Sequence, residues 1–109
     1  MNEELCQFDA NLKELFMDSK IEEMKELLKE KPDDMVKEIF EYHWNTIKKY
    51  YNSEKYALLF QHFTYVAYSC LIVEYAYQRK LIRDDVFEIM MSIFNDIYEL
   101  KRRERENNS

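Results

Sequence analysis

Apolar residues recur at intervals of three and four along most of this chain, the period of a helix with one buried face. Leu5, Phe8, Leu12, Leu15 and Phe16 form the first such stripe and predict a moderately amphipathic helix over about residues 3 to 17. Asp18 and Ser19 offer N-cap oxygens for a short second helix, whose buried face is Ile21, Met24, Leu27 and Leu28 and whose positive end suits Glu22 and Glu23. That helix should stop before Pro32, because proline lacks the interior donor and its predecessor avoids the α region. Asp33 or Asp34 then starts a third helix with Val36, Ile39, Phe40, His43, Ile47, Tyr50 and Tyr51 along one side. Glu38, Glu41, Asn45 and Lys48 lie mostly on the other side. Asn52 and Ser53 punctuate its end, asparagine as the best helix-ending residue after glycine and serine as the next cap.

The amphipathic pattern disappears over residues 56–77, which are apolar on every face. A helix of this kind is central in a bundle, covered by another subunit, or in a membrane. Gln61, His62, Thr64, Ser69 and Glu74 disfavour the membrane, where an unpaired carboxylate is expensive. Read as one rod from about 53 to 80, the segment would be about 40 Å long, and part of it would project beyond one chain's core. Asp84 and Asp85 cap the last helix, in which Val86, Met90, Ile93, Ile97 and Leu100 form one stripe and Phe87, Met91, Phe94 and Tyr98 a second. Two adjacent stripes mean contact with two neighbours. The expected fold is therefore all-α: a compact four- to five-helix bundle with a long central apolar helix (about 53–80). Residues 1–100 form its single domain, and 101–109 a charged, fraying tail.

Composition sharpens the exclusions. The 109 residues include no glycine and one proline, which removes the usual means of building hairpin turns and phosphate-cradling loops. An apolar share of 47 % with 35 % charged residues fits a globular domain, and a net charge of -6 opposes attraction to nucleic acid or anionic lipid. Cys6 and Cys70, far apart, match neither a disulfide scaffold nor a paired-thiol motif and read as reduced cytosolic thiols. The N-terminal residues are acidic where a secretory signal is basic, so the expected location is cytoplasmic.

Little in the chain spells out chemistry. Cys6, Cys70, His43 and His62 have no zinc-site spacing, and no metal or other cofactor is expected. His62 and Cys70 would stand roughly 12 Å apart along a continuous helix, too far for a nucleophile and base. No H-E-x-x-H or G-x-S-x-G occurs, and every arginine follows both histidines, unlike the order in HEPN ribonucleases. His43, between Tyr42 and Trp44 on an apolar face, reads as a core imidazole satisfied by a carbonyl or a tyrosine hydroxyl. Glu74 must be paired, hydrogen-bonded, protonated or at a surface; Arg79 and Gln78 are imperfect local partners, and tyrosine hydroxyls of neighbouring helices are the others.

The surplus of tyrosine and methionine suits an interface more than a dry core. The expected function is a non-enzymatic helical interaction protein that binds and inhibits or regulates a protein partner, in the manner of an inhibitor, antitoxin or immunity-like adaptor. Self-association as a homodimer is expected too. Tyr65, Tyr68, Tyr75, Met90, Met91 and Phe94 are the candidate partner-binding residues. The alternative is a sensor-type bundle enclosing a small apolar ligand, with His43, His62 or Glu74 as its polar anchor.

Overall fold

A computed structural model describes residues 1–107, and every regular element among them is helical. The order is α1 (Glu3–Met17), α2 (Ile21–Lys29), α3 (Asp33–Asn52), α4 (Tyr56–Gln61), α5 (Phe63–Gln78) and α6 (Asp84–Asn107). Helix α5 lies along α3 at the centre, with α1 and α6 also packed on this pair and α2 folded back on α1. Leu12, Leu28, Ile39, Ile47, Val66, Ile72, Phe94 and Ile97 are fully enclosed between them. The amphipathic stripes thus predict α1, α2 and α3 closely, because each helix buries the face that its periodicity marks.

The expected long central rod is broken. His62 (φ -112°, ψ 44°) ends α4 and begins α5, which raises the helix number to six. Neither glycine nor proline marks this break. Its cause is packing: the bend turns α4 onto α3 and α6, burying Leu59 and bringing the Phe60 ring to 5.6 Å from the Lys101 ammonium. Phe63, just after the break, meets Tyr98 edge-on with ring centroids 5.3 Å apart. Full burial of a leucine or phenylalanine contributes about 1.5–3 kcal/mol, more than the ~1 kcal/mol net value of a helical hydrogen bond given up at the bend.

Lack of glycine does not prevent sharp helix ends. Ser19 (φ 61°), Glu54 (φ 56°) and Lys80 (φ 65°) take the left-handed conformation that glycine usually fills. Each follows a helix that closes in a Schellman motif. The paired bonds are Lys20 N–H to Leu15 O (2.8 Å) with Ser19 N–H to Phe16 O (3.0 Å), and Lys55 N–H to Tyr50 O (3.0 Å) with Glu54 N–H to Tyr51 O (3.1 Å). The third pair is Leu81 N–H to Ala76 O (3.0 Å) with Lys80 N–H to Tyr77 O (2.9 Å). Asp18 and Ser53 accordingly terminate α1 and α3 and do not start their successors, and Asn52 stays helical. The N-cap positions of α2 and α4 fall to Lys20 and Lys55, whose side chains make no capping bond.

Helix α6 continues through Lys101–Asn107 where a fraying tail was expected; Asn108 and Ser109 lie outside the described residues. Arg102 holds this extension by bonding Glu99 on one turn and Glu106 (2.5 Å) on the next. Such pairs are worth about 0.2–0.5 kcal/mol each, and Lys101–Glu104 and Arg103–Glu99 add to them along the same helix end. At the opposite end of the molecule, Arg79 ties α5 to the α2–α3 turn. Its guanidinium donates to the carbonyls of Leu28 (2.9 Å) and Lys31 and pairs with Asp33 (2.7 Å).

Candidate functional site

The most polar place in the interior joins three helices. Asp9 on α1, within the stripe between Leu5 and Leu12, is buried, and so is His43 on α3. His43 Nε2 lies 2.9 Å from Asp9 Oδ1, which also accepts a 2.5 Å bond from the Tyr68 hydroxyl of α5. Lys13, one turn along α1, reaches Asp9 Oδ2 at 3.2 Å. On the other side of the imidazole, Nδ1 lies 2.7 Å from the Tyr65 hydroxyl.

Donor and acceptor roles follow from the carboxylate. Burial pushes the Asp9 carboxyl up, but the bonds from His43 and Tyr68 and the charges of His43 and Lys13 outweigh it and hold it below the usual range. An ionised carboxylate only accepts, so His43 donates to it from Nε2. Burial, together with the nearby Asp9 charge, pushes the Tyr68 hydroxyl up and keeps it a donor. All three polar groups are satisfied, as buried polar groups must be.

Tyr65 carries this interior chain to the surface. It lines a cleft of about 380 Å³ between α3, α4 and α5, together with Thr46, Leu58, His62 and Val66. The break at His62 opens this cleft, since its walls come from both sides of the bend. On its other flank Tyr65 borders a hollow of about 140 Å³ formed with Lys13, Phe16, Met17 and Thr64. Four large apolar side chains stand exposed: Met17 (71 %), Ile89 (62 %), Tyr42 (50 %) and Leu58 (41 %). Met17 shares the hollow with Tyr65 and Leu58 shares the cleft. Tyr42 sits one turn from Thr46 on α3, with its ring 5.3 Å from that of His43. Three of the four therefore surround one tyrosine.

The residues expected from sequence separate into two groups. Tyr68, Tyr75, Met90 and Phe94 are buried within this chain, so the surface once assigned to them is not open; Phe94 instead meets Trp44, with ring centroids 5.8 Å apart. Tyr65 and Met91 are half-buried and retain some surface. Of the candidate polar anchors, His43 is enclosed with both nitrogens engaged, while His62 is exposed at the cleft. Glu74 lies on another face of α5, where the Cys70 thiol donates to it at 3.5 Å. Burial pushes that thiol up to about 11, so it stays protonated and unreactive at neutral pH. Arg79, expected as a local partner for Glu74, points to the α2–α3 turn instead.

Comparison with protein-family models, curated proteins and solved structures finds no match. Function must be read from this geometry. Among the described residues, no group of three or more His, Cys, Asp or Glu side chains is placed to hold a metal ion, and no helix is long and apolar enough to cross a membrane. Asp9 is the residue that the sequence reading passed over. Its signal was present: a lone carboxylate four residues after Leu5 and three before Leu12 must share their buried face.

Proposed function

We propose that the protein is a non-enzymatic interaction module that captures a protein partner through the face centred on Tyr65, and inhibits or regulates that partner by occupying it. The observation that carries this reading is the placement of the exposed Met17, Tyr42 and Leu58 near Tyr65, while Phe40, Trp44, Tyr68, Tyr75 and Phe94 are buried in the core. Apolar patches of this kind mark interaction sites on small domains, and methionine and tyrosine are the residues enriched there. The Asp9–His43 network beneath the patch holds Tyr65 in one position, which lowers the ordering cost of binding.

A non-catalytic role is supported by the state of the reactive groups. The imidazole of His43 has no exposed surface, and the Cys70 thiol is buried and protonated. The proposed partner surface thereby keeps Tyr65 of the residues expected on α5 and α6 and centres on the mouth of the cleft, and the proposed homodimer moves with it. Capture of a partner from the native host by immobilised protein tests the reading. Met17→Asp with Leu58→Asp should abolish capture and retain helical circular dichroism, whereas Ile89→Asp should retain capture; the reverse pattern contradicts it.

A further inference from the structure

We propose that the groove between α3 and the start of α6 is a binding site for a small apolar monocarboxylate, whose head accepts the indole N–H of Trp44. The groove encloses about 370 Å³, within the size range of small-molecule sites. Its floor is apolar, formed by the buried Phe40, Ile82 and Met90 with half-buried Val86. Trp44 stands about 200° round α3 from Tyr42, so the groove faces away from the Tyr65 patch. The inference does not rest on partner capture.

Trp44 supplies the observation that points to a ligand. Its side chain is only 8 % exposed and its ring lies against Phe94, yet its N–H finds no acceptor among the described residues. No buried side-chain nitrogen or oxygen among them lacks a partner, so this N–H is not sealed in the core. It opens where Trp44 lines the groove. An indole N–H donates and never accepts, so what it lacks is an acceptor seated on an apolar floor.

The rim sets the charge of that acceptor. Arg83 and Asp85 bond each other twice at 3.2 Å and cancel, whereas Lys37 makes no ion pair with any described residue. A carboxylate satisfies the indole N–H and the Lys37 ammonium together, and charge-assisted bonds are the stronger kind. Glu41, exposed on the same rim, opposes a second negative charge and so limits the head to one. Asn45 can donate or accept and does not discriminate. An ammonium on the same apolar body would leave the indole unpaired and meet Lys37 as a like charge.

The chain has a single tryptophan, so one indole resonance reports the site. The test is titration of the full ¹⁵N-labelled chain with 3-phenylpropionate and, separately, 3-phenylpropylammonium. The carboxylate should move the Trp44 indole signal downfield together with the amides of Ile82, Arg83 and Val86, and bind about tenfold more tightly than the ammonium. Lys37→Gln, at an exposed position and checked by circular dichroism, should weaken the carboxylate about threefold and leave the ammonium no weaker. An indole signal that does not move, equal or reversed affinities in the unaltered protein, or unchanged carboxylate affinity in Lys37→Gln would overturn the proposal. Partner capture is scored through Met17 and Leu58 on the other face, so failure of one reading is distinguishable from failure of the other.

Discussion

His43 Nε2 and Asp9 Oδ1 meet 2.9 Å apart at a point where the imidazole has no exposed surface, so a polar contact between α3 and α1 is wholly enclosed. Removing the carboxylate strands two buried donors at once, the imidazole N–H and the Tyr68 hydroxyl, and frees the partly exposed Lys13 ammonium to water. Asp9→Ala should therefore cost about 3 kcal/mol in urea denaturation, within the range for breaking a buried charged pair. A loss below about 1 kcal/mol would mean that water replaces the carboxylate.

The pH dependence has a definite sign. Asp9 titrates below its ordinary value of 3.8, so its stabilisation is complete above that value and disappears as the pH falls through the lower, folded value. The stability difference between the natural chain and Asp9→Asn should stay constant from neutral pH down to about pH 5 and shrink below about pH 4. Narrowing that begins near neutrality would assign the effect to another group.

Ser19, Glu54 and Lys80 hold left-handed conformations at a cost of roughly 1–2 kcal/mol each for a residue with a β-carbon. Replacing each by glycine should raise stability by about 0.5–1 kcal/mol, the relief being partly offset by greater freedom of the unfolded chain. Thermal melts of the three single variants check this. Destabilisation in all three would show that the helix ends close differently.

Phe63 occupies the first position of α5, where proline is tolerated. In a continuous rod, Phe63→Pro would be worse than Phe63→Ala by about 3 kcal/mol. With the break at His62, the two variants should lie within about 1 kcal/mol of each other, since both lose the same contact with Tyr98.

These cases also mark what could be seen in the sequence. Periodicity located α1, α2 and α3 because each buries one stripe, and the tyrosine surplus and the list of polar anchors included Tyr65 and His62, which line the cleft. For His43 the sequence left open a carbonyl or a tyrosine hydroxyl as partner, where the structure has the Tyr65 hydroxyl and the Asp9 carboxylate. The break at His62 was not legible, because a segment apolar on every face states that it is buried and not which way it runs. The absence of glycine was over-read: three non-glycine residues close helices where tertiary packing compensates for their strain. Tyr68, Tyr75, Met90 and Phe94 are buried where a partner surface is expected, because composition counts aromatic and methionine residues without locating them.

The central claim is that the face around Tyr65 meets a partner protein. Its most direct test is a photo-crosslinking amino acid placed at position 58, beside the cleft, and in a second variant at position 89 on α6, both expressed in the native host. A discrete crosslinked product from position 58 and none from position 89 is the predicted result. A product only from position 89, or none from either, would contradict the account.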